Sequence, residues 1–397
     1  MSRALHPFPA RMAPDLAIRE LRKLGSRSKV VLDPMAGSGT VLREATAQGH
    51  RAIGFDLDPL AVLIARVATR PVSERAIVDA LDETLKAARG KKKVRLPWID
   101  DDQETRKFIR YWFAPKQKAA MRRLAWALQR SMRRKSATRA RARDVLRVAL
   151  SRIVVTKDVG ASLGRDVSHS RPQRVRDTSP FDVFAQFERS ARAMCEVLKA
   201  HPPTAGARIT PGDARHLPTR SGTVDLVMTS PPYLNAIDYM RGHRLSLVWL
   251  GYSVSELRAI RSVSIGSERK SDRKRRNKHI EAISLAMTGR QRLPRRQAQM
   301  VYRYAGDALR LMAEISRTLR DGGRAVLVVG NSCLGGRFIR NSDGIVAAAN
   351  RAKLKLVKTS ERELPENLRY LPLQRSGNSA LESRMRTETV LTFLKSA

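Results

Sequence analysis

The stretch from Lys29 to Thr69 limits the folds open to this chain more than any other. Lys29-Val30-Val31-Leu32-Asp33 is a short apolar run, broken by Pro34 and the small residues from Ala36 to Gly39. β-Branched residues suit a buried strand, whereas proline and glycine end one. From Thr40 to Gln48 the apolar residues recur at helical spacing until Gly49 stops them, and Ala52-Ile53-Gly54-Phe55-Asp56 predicts a second strand. A further helix is predicted over about 59–69. Parallel neighbours need a crossover, so strand, glycine-rich turn, helix, strand, helix is the opening of a doubly wound α/β sheet.

An amphipathic helix over 15–25 (Leu16, Ile18, Leu21, Leu24) precedes this unit. Between about 86 and 200 the character changes. Lys91-Lys92-Lys93, Arg122-Arg123, Arg133-Arg134-Lys135 and Arg139-Ala140-Arg141-Ala142-Arg143 sit in mostly helical sequence, interleaved with Trp98, Phe108, Tyr111, Trp112, Phe113 and Trp126. Trp112 and Trp126 fall at helical positions and are expected in a core rather than on a stacking surface. Sheet grammar resumes at Arg208-Ile209-Thr210, and Val224-Asp225-Leu226-Val227-Met228 runs straight into Thr229-Ser230-Pro231-Pro232-Tyr233. A second basic tract, 255–297, contains Arg269-Lys270-Ser271-Asp272-Arg273-Lys274-Arg275-Arg276, a density of like charge that predicts a mobile loop. Helices over about 299–320 and 344–351 and strands at 324–329, 354–357 and 387–393 complete the pattern. The chain thus divides into 1–85, a basic helical insertion 86–204, and 205–397, with no internal repeat.

Charge enters here. Against 77 Lys+Arg stand 37 Asp+Glu, a formal net charge of +40 over 397 residues. Such an excess repels itself in a compact chain, so a polyanionic partner is its natural reason; nucleic acid comes first and an anionic membrane surface second. Cys195 and Cys333 are too few for a disulfide framework or a four-cysteine zinc site, and a reducing, cytoplasmic compartment fits. No apolar signal core opens the sequence and no apolar run has the length of a membrane span, so a membrane location is not expected. His169 and His243 lack metal-ligand spacing, and no metal is expected.

Four strand ends carry candidate chemistry. In Asp33-Pro34-Met35-Ala36-Gly37-Ser38-Gly39-Thr40 the glycines let backbone approach a ligand and the following helix offers free N–H groups. The spacing is not that of a phosphate loop. Asp56 ends the second strand and Asp213, in Pro211-Gly212-Asp213-Ala214, follows the third; singly each suits a helix cap or turn, but together they recur along the edge where open α/β sheets bind ligands. Ser230-Pro231-Pro232-Tyr233 follows the fourth strand. Two prolines fix the backbone and remove two donors, leaving carbonyls that with the serine hydroxyl can hold an exocyclic amino group, beside a flat tyrosine ring.

With these residues the sequence resembles the amino-methyltransferases that methylate exocyclic nitrogens of DNA bases with S-adenosylmethionine. His6-Pro7-Phe8-Pro9-Ala10-Arg11-Met12 looks like the family's N-terminal element over the methionine end of the cofactor. Asp33, Pro34, Ala36, Gly37, Ser38, Gly39 and Thr40 resemble its glycine loop, Asp56 the ribose ligand, and Asp213 the partner of the adenine amino group. Ser230, Pro231, Pro232 and Tyr233 resemble the catalytic (Asp/Asn/Ser)-Pro-Pro-Tyr signature. The resemblance covers about 1–80 and 205–395 and implies a Rossmann-like class I methyltransferase sheet, mostly parallel with an antiparallel last strand.

Serine at the first signature position is similar to the N4-cytosine subgroup, whereas Asp is commoner among N6-adenine enzymes. The insertion lies between the second and third strands, not where the best-known members carry a target-recognition domain. Cytosine C5 chemistry needs a thiolate, usually in a Pro-Cys pair; Cys195 follows Met194 and Cys333 follows Ser332, against that route. Arg269, Lys270, Arg273, Lys274, Arg275 and Arg276 are the candidate nucleic-acid contacts. Four readings stand: a DNA cytosine-N4 methyltransferase, an adenine-N6 variant, an RNA base methyltransferase, and a non-catalytic nucleic-acid-binding protein on the same fold. Recognition sequence and oligomeric state are not legible.

Overall fold

The computed structural model describes residues 5–7, 12–131, 136–165, 172–234, 239–266, 277–364 and 387–396. The first part runs α1 (Pro14–Arg22), β1 (Val30–Asp33), α2 (Thr40–Ala47), β2 (Arg51–Asp56) and α3 (Pro59–Thr69). Next come α4 (Glu74–Arg89), α5 (Pro97–Asp100), α6 (Gln103–Trp112), α7 (Pro115–Ser131), α8 (Ala137–Arg152), the two-residue strands β3 (Gly164–Arg165) and β4 (Gln173–Arg174), and α9 (Val183–Ala200). The last part is β5 (Ala207–Pro211), β6 (Val224–Thr229), α10 (Tyr239–Leu247), α11 (Val254–Val263), α12 (Lys278–Thr288) and α13 (Arg295–Thr318). It closes with β7 (Leu319–Val329), the short pair β8 (Ser332–Leu334) and β9 (Arg337–Ile339), α14 (Asn341–Arg351), β10 (Leu354–Glu363) and β11 (Thr387–Lys395).

Seven strands form one sheet in the order β10-β11-β7-β6-β1-β2-β5. β1 lies parallel to β2 and β6, β2 to β5, and β6 to β7, while β11 runs antiparallel to both β7 and β10. That order with one reversed strand is the Rossmann-like sheet of class I methyltransferases, and it agrees with the sheet expected from the sequence. The chain's direction of winding switches at β1, so a crevice opens past the carboxyl ends of β1 and β6.

Period-two alternation decides which face each strand residue covers. Val31, Leu226, Met228, Val326 and Val328 pack with Leu16, Leu21, Val41 and Leu42 of α1 and α2. Leu32, Val227, Leu327 and Val329 turn the other way, onto α12, α13 and α14. A third cluster joins α3 (Leu60, Ile64, Val67) to the helical segment (Ile77, Leu81, Leu124, Leu146, Phe187) and to Leu245–Leu250 and Leu257. The expected boundary at 85/86 falls within α4, and these helices share one core with α3.

The second basic tract departs from expectation outside 267–276. Residues 254–263 and 278–288 are helices, not loop. Leu257, Ile283 and Met287 are buried, and Ser253 and Glu256 form a reciprocal capping box at the start of α11. Apolar residues at helical spacing and a cap together outweigh scattered surface charge. The β3–β4 and β8–β9 pairs, two and three residues per strand, carry too little alternation to be seen in sequence. Among the described residues no helix is long and apolar enough to cross a membrane, and no group of three or more His, Cys, Asp and Glu is arranged to hold a metal ion. Both cysteines are free and buried.

Candidate active site

Asp33 ends β1 buried, where its carboxylate accepts from Thr229 Oγ1 at 2.7 Å and from the Met35 N–H at 3.1 Å. The first bond ties the end of β1 to the end of β6, directly before Ser230. Burial pushes the Asp33 carboxyl up to about 7, against the opposing pull of those two donors. The following turn uses positive φ at Gly37 (50°) and Gly39 (80°). At Gly39 a Cβ would stand 2.8 Å from the Ala65 Cβ, so glycine alone lets the start of α2 rest on α3.

Asp56 closes the loop from the neighbouring strand. Its Oδ2 accepts from the Gly37 N–H at 2.8 Å and its Oδ1 from the Asp58 N–H at 2.9 Å. Desolvation, with the like charge of Asp58, lifts its carboxyl to about 6. Two carboxylates that resist ionisation flank one glycine turn, and a cationic or hydroxyl-rich ligand would relieve both. Asp58 itself caps α3 through the Leu60 N–H at 2.8 Å, and its other oxygen meets His243 Nδ1 of α10. His243 is buried, so this pair fastens α10 to the end of β2.

Asp213 lies beside this group, since the Gly212 N–H donates to the Asp56 carbonyl at 3.0 Å, but its carboxylate is engaged elsewhere. Arg215 holds it through Nε and Nη2, at 2.9 and 2.7 Å, and also bonds Asp307 at 2.7 Å and the Val263 carbonyl. Burial would raise the Asp213 carboxyl, yet Arg215 overcomes that and holds it below the usual carboxylate range. Asp213 is thus one leg of an ion-pair cluster linking β5 to α13.

Past β6, Ser230 Oγ donates to the Val328 carbonyl at 3.0 Å, and Pro231 is buried. With its one hydrogen committed there, the serine oxygen is left to act as an acceptor. The Tyr233 ring lies against Gly330, where a Cβ would come within 2.7 Å of it, and the Tyr233 hydroxyl donates to Glu388 of β11 at 2.9 Å. Behind it, Asn341 Nδ2 donates to the Gly330 carbonyl at 2.9 Å and to Ser332 Oγ at 2.8 Å, while Ser332 Oγ donates to the Leu234 carbonyl.

The structure therefore brings Asp33, the glycine turn, Asp56 and Ser230–Tyr233 to one edge of the sheet. Phe8, Pro9 and Ala10 lie outside the described residues, as do Arg269, Lys270, Arg273, Lys274, Arg275 and Arg276. His6 is buried nearby in sequence, and Arg152 at the end of α8 donates to the Leu5 carbonyl. The sequence did not single out Asp58, Gly330, Asn341 or Glu388, and it gave His243 no role. Gly330 had a signal: it follows β7 on the same edge as the three motifs.

No family model matches the chain. It is similar over 81 residues, at 32% identity, to the Type II methyltransferase M.MvaI of Kocuria varians, a match covering 20% of this chain and 18% of that protein. Over 84 residues it is 29% identical to the Type II methyltransferase M.MjaII of Methanocaldococcus jannaschii, covering 20% of this chain and 16% of the relative. The match thus spans less than a fifth of the length of either relative. Among solved structures, a geranyl diphosphate C-methyltransferase from Streptomyces coelicolor A3(2), bound to S-adenosyl-L-homocysteine, aligns at TM-score 0.35 and 9% identity over 96% of this chain and 79% of its own. A DNA modification methylase from Thermus thermophilus aligns at TM-score 0.24 and 16% identity, over 47% of this chain and 51% of its own. Both are distant likenesses, and the fold stands on the strand order itself.

Proposed function

We propose that this protein is an S-adenosylmethionine-dependent methyltransferase acting on the exocyclic amino group of a DNA base, with cytosine N4 as the target. The observation that carries the reading is the Thr229–Asp33 hydrogen bond, which joins the turn suited to a cationic cofactor to the Ser-Pro-Pro-Tyr segment suited to an amine. The residues present fit that cofactor: a glycine turn without room for a side chain lies between two carboxyls whose pKa values are raised to about 7 and about 6. S-adenosylmethionine would supply an electrophilic methyl on a positively charged sulfur: the amine nitrogen bonds the methyl as the carbon–sulfur bond breaks, a neutral thioether leaves, and the nitrogen's surplus proton passes to solvent.

The chain's own residues do the rest. Asp56 would accept from the ribose hydroxyls, and the turn from Asp33 to Thr40 would hold the remainder of the cofactor. An aromatic amine is a poor nucleophile because its lone pair is delocalised into the ring. Ser230 Oγ and the Pro231 carbonyl accept its N–H bonds and hold them out of conjugation, so the lone pair is localised and aimed. Positioning and fixed dipoles then supply most of the acceleration. Tyr233, braced by Gly330 and Glu388, is the platform for a base taken out of the duplex. Asp213 would accept from the adenine amino group of the cofactor only through lone pairs that Arg215 leaves open.

Serine at position 230 favours cytosine over adenine by its resemblance to the N4 subgroup. The test is transfer of labelled methyl to duplex DNA by the wild type and by Ser230→Ala. The reading expects DNA-bound label that falls by about two orders of magnitude in the variant, with cofactor affinity within about twofold, as for removal of one positioned acceptor. Equal labelling by both proteins overturns Ser230's role, and no label with either overturns the activity.

A further inference from the structure

Helices α10 and α11 enclose a cavity of about 240 Å³ whose walls carry four arginines: Arg241 and Arg244 from α10, Arg258 and Arg261 from α11. Met240 and Leu257 form a buried apolar floor. Each arginine pair is spaced i, i+3, which puts both guanidiniums of a helix on one face. The two faces point into the same space. Glu104 of α6 pairs with Arg258 at its margin. Arg244 is further held over the Phe108 ring, 5.1 Å from its centroid.

Four guanidiniums converge on one small space, and the apolar floor lowers the local dielectric and so strengthens their attraction for an anion. Planar guanidinium forks match tetrahedral oxyanions in geometry, as ammonium groups do not. The cavity's place says which anion. α10 begins at Tyr239, six positions after Tyr233, and His243, between Arg241 and Arg244, is fixed on Asp58, two positions beyond Asp56. The arginine pocket is thus held by the same helix that leaves the candidate active site.

We infer that this pocket seats a backbone phosphate of the DNA strand that carries the target base. The inference rests on the proposed DNA reading and adds to it a phosphate site on described residues, separate from the 269–276 tract.

The experiment compares wild type, Arg241→Gln/Arg261→Gln and Arg241→Lys/Arg261→Lys, with Arg51→Gln as control, because Arg51 opens β2 at the opposite edge of the sheet. Arg241, Arg261 and Arg51 are all exposed, so folding should survive the changes. For each protein the affinity for a duplex oligonucleotide is measured from low to moderate salt. Every phosphate that the protein ceases to neutralise lowers the slope of log affinity against log salt by about 0.9. The glutamine pair should therefore show a slope shallower by about 1 unit and a raised KM for DNA, with kcat at saturating DNA and S-adenosylmethionine affinity unchanged. The lysine pair should keep most of the slope, and the Arg51 variant all of it.

An unchanged slope in the glutamine pair overturns the inference, as does a change seen on RNA but not on DNA. Wild type that binds DNA without transferring methyl sinks the enzymatic reading, and the slope comparison still decides this one. Wild type that binds no DNA sinks both.

Discussion

Asp33 and Asp56 set the most testable chemistry of the site. A carboxyl pushed to about 7 in the folded chain, from 3.8 unfolded, binds its proton more tightly when folded. The unfolded chain ionises first as pH rises, so the Asp33 contribution costs stability between about pH 4 and 7 and is fully unfavourable above. At 1.36 kcal/mol per pKa unit the ceiling is about 4 kcal/mol, the two bonds to Thr229 and Met35 being already included. Asp33→Asn keeps an acceptor for both and should be more stable than wild type at pH 8, by up to that amount, with the advantage fading toward about pH 4. Denaturant titrations at the two pH values check it, and a constant difference would contradict the raised pKa. In the proposed reading Asp56 acts on binding. Its carboxyl, at about 6, accepts ribose hydroxyls more strongly when ionised, so S-adenosylmethionine affinity should fall as pH drops below 6, and that part of the dependence should be lost in Asp56→Ala. Calorimetry that shows equal affinity at pH 5 and 8 would remove Asp56 from the proposed cofactor site.

Tyr233 shows what sequence can and cannot disclose at this scale. The Ser230–Tyr233 tetrapeptide is legible because its four residues act through local backbone and adjacent side chains. Its brace is not, because Glu388 joins it from 155 positions away and nothing near Glu388 marks it. Tyr233→Ala should lower methyl transfer by about 100-fold, in the range of one positioned group, while cofactor affinity changes by less than about twofold. A large drop in cofactor binding would contradict a stacking role.

At the scale of elements the strand ends were legible and the helix packing was not. β1 announces itself by an apolar run broken by proline and glycine, and β2 by an apolar run that ends at Asp56 ahead of Pro59, so each motif falls on a carboxyl edge. α11 and α12 were hidden because charge density masked the spacing of Leu257, Ile283 and Met287, whose burial decides the outcome. The Asp58–His243 pair, linking α3 to α10, has no local signal at all; a lone histidine gains meaning only from the fold. Gly39 belongs to this scale, since it sets the fit of α2 on α3. Gly39→Ala combines a φ of 80° with a 2.8 Å clash against Ala65 and should destabilise by about 1–3 kcal/mol. The denaturation midpoint measures this, and a shift near zero would mean that the turn can reshape freely.

For the whole molecule, net charge and topology point the same way. The helical segment inserted after β2 is not loosely attached, because Ile77, Leu124 and Phe187 share a core with Leu60 and Ile64 of α3. Its basic residues meet rings at its surface: Lys91 and Arg130 flank Trp126, and Arg89 and Arg123 flank Phe184. Trp126 is therefore half-buried under cations, between the core and stacking roles. A chain of charge +40 should bind polynucleotides with affinity that falls steeply with salt.

Product identity tests the central claim most directly. The protein is given S-adenosylmethionine with a labelled methyl and, in parallel, duplex DNA, single-stranded DNA and RNA; each polymer is then digested to nucleosides and the labelled one identified. Label in N4-methylcytosine from DNA is the predicted result, and N6-methyladenine would keep the mechanism while correcting the base. Label confined to RNA, to a carbon atom of the base, or to no polymer at all would contradict the account.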